Sequence, residues 1–488
     1  MTALDRRSPR GQLTLATARK LDVSLRPLVD PRALKPRIVH FGLGAFHRAH
    51  QAVYTEAAAM RTGEPWGITV VAPRSEATVT ALRAQDCLYS VTERRPGGPR
   101  TRVVGAIVDA LRMRRDVDKV DGLLAAPATT VVTLTVTEKA YHRRSGTTDL
   151  DTAAPEIAAD LAAGVRDLRT VVGRLAGGLA ARYRAHGAPI SVVSCDNAAA
   201  NGAVLRGVVR GFVAASSWPD RSDVLAWLDN SVAFPSSVVD RIVPATTGED
   251  ERAASAALGL RDGMPVVGEP YRQWILEDCF AAARPRWELD GALLVPDVAP
   301  YQLMKLRLLN GSHSALAYLG LAAGYGTIRE VMHTRWGERF VRSFCAEVAR
   351  TLPAGGPDAE AYVEDLVPRF RNPAMRHLLR QIGSDGSLKL PERWFGALRE
   401  SATPAPLLEL ALAGWVNATR PDDLGPVFGT TDPLAEPLAR CWYDRPDPVD
   451  LVGRLLRLAG AADLAERTDL AKSVAARLPA LRAGRVEF

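Results

Sequence analysis

Two hydrophobic periods divide the chain. In its first part, short apolar runs alternate with stretches in which apolar residues recur every three or four positions. Ile38 to Phe41 and Gly67 to Ala72 read as buried strands, and Ile190 to Ser194 as another. Val131 to Thr137 (VVTLTVT) is β-branched almost throughout, as a central parallel strand is. Ala49 to Met60, Ile157 to Arg184 and Gly202 to Ala215 read as helices. Such alternation predicts a doubly wound α/β domain with a mainly parallel sheet. The character changes near residue 297. From there Leu/Ala/Arg segments at helical period dominate: Tyr301 to Leu321, Arg329 to Leu352, Ala359 to Arg371 and Pro406 to Val416. Asp297 and Pro300 give a helix start. The expected division is an N-terminal arm over 1–35, an α/β domain over 36–297 and a mainly α-helical domain over 298–488.

Composition narrows the class. A chain of 488 residues exceeds one ordinary core and fits two large domains. Its 47% hydrophobic and 24% charged residues are those of a soluble globular protein. No apolar run approaches the roughly 18 residues needed to span a bilayer. Met1 to Lys20 lacks the apolar core of a signal peptide, so it reads as a flexible arm and the protein as cytoplasmic. The net charge of +7 is carried by scattered arginines, without the clustered basic stripe that nucleic-acid binding wants. The cysteines Cys87, Cys195, Cys279, Cys345 and Cys441 show no CxxC pair and no Cys/His spacing for zinc.

Four segments carry candidate chemistry. Gly42-Leu43-Gly44-Ala45-Phe46-His47 follows the first strand: Gly42 permits a tight turn and Gly44 a close approach to a pyrophosphate. His47 stands where the third glycine of a dinucleotide fingerprint belongs. At the second strand end, Glu76 is the candidate acceptor for an adenosine ribose, which favours NAD over NADP, although Arg74 close by could accept a phosphate instead. Ser194-Cys195-Asp196-Asn197 ends another strand, where Asn197 can donate to a substrate oxygen or simply close an Asx turn. In Lys305-Leu306-Arg307-Leu308-Leu309-Asn310-Gly311-Ser312-His313, α-helical spacing puts Lys305, Asn310 and His313 within roughly 140° of one face. Lysine is scarce in this chain. A buried lysine gives up its charge readily and becomes a usable base. Asn310 can polarise a developing alkoxide.

Together, GLGAFHRAHQAVY (42–54), TVTEKAY (135–141), SCDN (194–197), FPSSVVDRIVP (234–244), EPYRQWILED (269–278) and KLRLLNGSH (305–313) resemble the polyol-specific long-chain dehydrogenases, the mannitol dehydrogenase family. RFRNPAMRHLLRQIGSDGSLKLPER (369–393) resembles its C-terminal domain. The resemblance covers roughly residues 36 to 420. It implies a Rossmann-type domain for NAD, a helical domain, and an active site between them. It implies Lys305 as general acid/base, Asn197 and Asn310 as a clamp on the reacting oxygen, and His313 as a substrate contact. Asp240 and Lys389 match further positions lining the site, and Gly42, Gly44, Phe46, His47, Arg74 and Glu76 fall on the cofactor side. Family members are mostly monomers, with some dimers.

The implied reaction interconverts a sugar polyol or aldonate and its 2-ketose or ketouronate: D-mannitol and D-fructose, or D-mannonate and D-fructuronate. Ala77 replaces an acidic residue typical of mannitol 2-dehydrogenases, which leaves NADP use open, and Gln381 replaces an arginine that those enzymes can carry. TVTEK, Arg272-Gln273-Trp274 and Lys305-Leu306-Arg307 look closer to fructuronate reductases, and Arg272, Lys139 or Lys389 could hold a carboxylate. PRSEA and AQDCLYSVTE look closer to mannitol 2-dehydrogenases. Mannitol 1-phosphate and tagaturonate remain alternative substrates. A non-catalytic nucleotide or sugar sensor would have lost Lys305, Asn310 or Asn197, and all three are present.

Overall fold

The computed structural model describes residues 11–375, 377–422, 425–443 and 446–488. The chain forms two units, Met1–Val298 and Ala299–Phe488.

The first unit is built on a six-stranded parallel sheet: β1 (Lys35–Phe41), β2 (Trp66–Ala72), β3 (Ile107–Arg112), β4 (Val131–Leu134), β5 (Ile190–Ser194) and β6 (Val232–Ala233). Their spatial order is β3-β2-β1-β4-β5-β6. The chain winds outward in opposite directions from β1 and β4, so the doubly wound sheet has its switch point between them. Neighbours alternate faces. Ile38, Ile68, Val70 and Val131 pack into one layer, while Val39, Val71, Val132 and Leu134 pack into the other. This is the two-residue period of a strand buried on both sides. Two smaller sheets flank it. One joins Tyr89–Glu93, Arg100–Val104 and Val266–Gly268, and the other Ser237–Asp240, Gln273–Glu277 and Leu293–Val295.

Several elements differ from the periodicity. β4 stops at Leu134, three residues short of Thr137. The helix expected over 157–184 is two helices, Pro155–Ala162 and Val171–Ala185. Asp160 makes the break: its carboxylate accepts the Arg169 and Thr170 N–H groups at 2.8 and 2.9 Å, and Thr170 in turn caps the second helix at Gly173. The segment expected as a free arm is folded from Gly11 onward. Leu13, Ala18 and Leu21 pack with Leu88, Val103 and Leu258, and Leu13 N–H donates to the Arg261 carbonyl at 2.9 Å. Residues 1–10 of that expectation lie outside the described residues.

The second unit is helical around one core that includes Leu308, Leu316, Phe340, Phe344, Leu412 and Trp394. A two-residue pairing of Pro421–Asp422 with Gly425–Pro426 is its one sheet among the described residues. The segment expected as one α-helix from Tyr301 is Ala299–Met304, a π-helical Lys305–Asn310 and Gly311–Ala322 in continuity. The 329–352 segment is split into Ile328–Met332 and Gly337–Ala349, with Thr334 accepting the Gly337 N–H at 3.0 Å in the intervening turn. Among the described residues no helix is long and apolar enough to cross a membrane.

Candidate active site

The first unit carries a cleft of about 410 Å³ at the sheet's switch point. Its wall is made by the residues that follow β1 (Gly42, Leu43, Gly44), β2 (Ala72 to Ser75), β3 (Arg114) and β4 (Thr135 to Thr137). This is where open α/β sheets bind ligands. Gly42 sits at φ +118°, and a Cβ there would lie 2.2 Å from the Thr135 carbonyl oxygen. Only glycine lets β1 and β4 end side by side. Gly44 has nothing within 4 Å of its would-be Cβ, so the backbone is bare towards the cleft.

Below that turn the expected fingerprint departs from the usual one in a defined way. His47, in the third-glycine place, does not line the cleft; it is fully buried and stacks on His40 with ring centroids 3.4 Å apart. Burial lowers its pKa to about 3. His40 is held neutral by the same burial, and its nitrogens lie 2.7 Å from Thr133 Oγ1 and 2.8 Å from Thr135 Oγ1. The imidazole pair therefore fixes Thr135, a cleft residue, from beneath. Phe46 stacks on His50 at 5.0 Å rather than lining the cleft. Arg74 lines it; Glu76 does not. The Glu76 carboxylate instead pairs with Arg115 Nε at 2.7 Å.

Asn197 is exposed just past β5. The loop that carries it is fixed by neighbours that sequence reasoning passed over. Tyr141, from the loop after β4, donates to Asp196 Oδ2 at 2.7 Å and lies 2.7 Å from Ser194 Oγ. Asn201 donates to the Asp196 and Ser237 carbonyls, each at 2.9 Å. Burial raises the Asp196 pKa to about 7, against the Tyr141 hydrogen bond that lowers it. The sole sequence trace of this network is that Tyr141 and Asp196 lie inside the TVTEKAY and SCDN segments.

Asp240 is buried at the end of Ser237–Asp240, opposite Gln273. Arg272, one of the three expected carboxylate holders, pairs with Asp290 at 2.6 Å and lies over the Tyr54 ring at 4.1 Å, while its Nη1 is buried without a hydrogen-bond partner among the described residues.

In the second unit Lys305 opens the π-helical turn and is only 7% exposed. The i→i+5 bonding of such a turn brings residues five apart closer to one side than α-helical spacing does. Lys305 and Asn310 are five apart. The turn is anchored by Arg307, whose guanidinium meets Glu400 at 2.7 and 2.8 Å and the Thr351 carbonyl at 2.6 Å. It packs on a second π-helical segment, Pro391–Phe395, whose Trp394 donates to the Gly311 carbonyl at 3.1 Å. Arg393 donates to Ser314 Oγ at 2.6 Å and to the Asn310 carbonyl at 3.4 Å.

His313 stacks on Phe370 at 5.1 Å and meets His377 edge-on at 5.5 Å. Burial, then the charges of His377, Arg393, Arg369 and Lys389, hold its pKa well below the ordinary histidine value. The His313 and His377 Nε2 atoms are buried without a hydrogen-bond partner among the described residues. Lys389 is half-buried, and its ammonium donates to the Ser384 and Ile382 carbonyls at 2.5 and 3.2 Å. Burial, then Arg393, lowers its pKa. Neutral imidazoles beside concentrated positive charge suit a polar, oxygen-rich ligand. Among the described residues no three His, Cys, Asp or Glu side chains gather as a metal site would need.

Known proteins share this architecture along nearly the whole chain. The mannitol dehydrogenase Rossmann domain model matches residues 36–289, and the mannitol dehydrogenase C-terminal domain model matches 297–482. The D-mannonate oxidoreductase of Escherichia coli K12 is 36% identical over 465 residues, covering 92% of this chain and 94% of its own. A mannitol 2-dehydrogenase of Pyrenophora tritici-repentis is 37% identical, covering 84% and 74%. Among solved structures, a D-sorbitol dehydrogenase in substrate-free form superimposes with a TM-score of 0.87 at 29% identity, covering 97% of this chain and all of its own. The Pseudomonas fluorescens mannitol 2-dehydrogenase, in a ternary complex with NAD and D-mannitol, gives 0.79 at 32% identity, with 96% and 97% covered. On two matching domain models and relatives of this extent, the chain belongs to the mannitol dehydrogenase family.

Proposed function

We propose that this chain is an NAD-dependent oxidoreductase that interconverts an open-chain polyol or aldonate and the matching 2-ketose or ketouronate, with Lys305 as acid/base. The carrying observation is Lys305 itself: a lysine 7% exposed, on a π-turn with Asn310 in a chain of this family. The relatives named for D-mannonate and mannitol support the substrate class. The Pseudomonas relative's complex with NAD and D-mannitol supports the cofactor.

The residues of the cleft fit a dinucleotide. Gly42 and Gly44 offer backbone with no side chain in the way, and the cleft lies at the switch point where such groups bind. The bound nicotinamide would supply the hydride acceptor or donor. In the oxidative direction neutral Lys305 takes the hydroxyl proton, and in the reductive direction it returns it. Asn197 and Asn310 donate to the reacting oxygen as charge develops on it. His313 and Lys389 hold neighbouring hydroxyls or a terminal carboxylate, and Asp240 completes the substrate side. Arg272 is left out of that set, because its guanidinium already serves Asp290 and Tyr54.

Positive charge from Arg369, Lys389 and Arg393 around His313 favours the sugar acid over the neutral polyol. NADH oxidation assayed in parallel with fructose, fructuronate, tagaturonate and fructose 6-phosphate tests the reading. Saturable oxidation with a uronate or with fructose supports it. Turnover with none of the four refutes it, and saturation with fructose alone refutes the preference for the acid.

A further inference from the structure

We propose that the wall of the cleft at the carboxyl ends of β2 and β3 accepts a 2′-phosphate, so that the chain binds NADP as well as NAD, with Arg74 and Arg114 as the phosphate-contacting groups. The inference rests on the dinucleotide reading of the cleft.

Sheets of this order place the adenosine ribose over the end of the second strand. A carboxylate there accepts hydrogen bonds from the ribose hydroxyls and repels a phosphate; an arginine does the reverse. In this chain β2 runs out as Ala72-Pro73-Arg74-Ser75, and none of these is acidic. All four line the cleft.

The first acid, Glu76, lies outside that lining and opens the helix Glu76–Arg83. Its carboxylate is ion-paired with Arg115 at 2.7 Å. Ser75 is occupied as the cap of the same helix, accepting the Thr78 N–H at 3.3 Å.

Arg114, from the turn after β3, brings a second guanidinium to the same wall. The neighbouring cations are spoken for. Arg83 pairs with Asp109 and Asp116, and Arg112 donates to Thr80 Oγ1 at 3.1 Å. These contacts tie the helix after β2 to β3 and fix the wall's shape. Among the described residues no hydrogen bond or ion pair engages the guanidinium of Arg74 or Arg114. Among the described residues the cleft's one acidic lining residue, Glu156, comes from a different helix, Pro155–Ala162, and lines it together with Arg169. Two planar guanidinium groups offer the forked donors that phosphate oxygens take.

Fluorescence titration of the full-length protein with NADPH and with NADH at low ionic strength, where exposed charges are least screened, tests this. The variants are Arg74→Ala, Arg114→Ala and the pair. Both side chains are at the surface of the cleft, and circular dichroism confirms that each variant is folded. The expected result has NADPH within about thirtyfold of NADH, and the double variant at least about tenfold weaker for NADPH with NADH changed less than about threefold. An NADPH affinity more than about thirtyfold below that of NADH overturns the proposal, as does equal weakening of both cofactors by the substitutions. Either result leaves the NAD reading intact. Binding of neither cofactor overturns that reading and the 2′-phosphate with it.

Discussion

Replacing Gly42 by Ala perturbs the cleft at its narrowest point. At φ +118° an alanine is in strained backbone, a cost of about 1–3 kcal/mol. Its Cβ would stand 2.2 Å from the Thr135 carbonyl oxygen, 2.9 Å from Thr135 Oγ1 and 3.1 Å from the carbonyl carbon. Carbon and oxygen sit comfortably at about 3.3–3.6 Å, so roughly 1 Å must open between the ends of β1 and β4. Thr135 has little room to retreat. Its N–H donates to the Phe41 carbonyl at 2.9 Å, and its hydroxyl is 2.8 Å from His40 Nε2. Overpacking adds about 1–3 kcal/mol. At about 2–4 °C per kcal/mol, scanning calorimetry of the full chain should show the transition of the first unit lowered by roughly 4–24 °C. Gly44→Ala is the control. With φ −75° and open space around its Cβ, it should leave that transition within about 2 °C while weakening NADH binding at least about tenfold. A Gly42→Ala protein that melts within about 2 °C of the parent refutes the reasoning.

Asp196 is predicted to make the first unit pH-sensitive. Its pKa is raised by burial to about 7, so the fold favours the neutral acid. That contribution is whole below the carboxyl group's ordinary pKa near 3.8 and is lost as pH rises to about 7. Asp196→Asn should therefore flatten the decline in melting temperature between about pH 4 and pH 7; an unchanged slope rejects the assignment. Arg272→Ala should lower the melting temperature while leaving the KM for the sugar within about threefold, since the guanidinium serves Asp290 and Tyr54. A large rise in KM at unchanged stability would restore Arg272 to the substrate side.

The sheet was legible because its strands are buried on both faces, and runs such as VVTLTVT have few other uses in a soluble chain. Where reading failed, a long-range contact decided. β4 ends at Leu134, and the next carbonyl, of Thr135, closes on Gly42, ninety-odd residues earlier, a contact of which period alone carries no trace. The break inside 157–184 hangs on Asp160, whose carboxylate looks from sequence like an exposed helix residue. His47 read as a cofactor contact because it occupies a glycine's place; its stacking on His40 needs the strand and helix brought together. α-Helical spacing points to Lys305, Asn310 and His313, although the local geometry from Lys305 to Asn310 is a π-turn, which that spacing does not anticipate. Tyr141 and Asp196 pair across 55 positions, and beyond lying inside TVTEKAY and SCDN they carry no signal of that pairing.

Everything proposed for the reaction turns on Lys305 moving the proton. The decisive measurement is the turnover of Lys305→Ala with the best substrate of the panel, beside its NADH affinity by fluorescence titration. The expected kcat is lower by about 10²–10⁴, with the NADH dissociation constant within about twofold of the parent. Near-normal turnover in a folded, NADH-binding Lys305→Ala protein would contradict it.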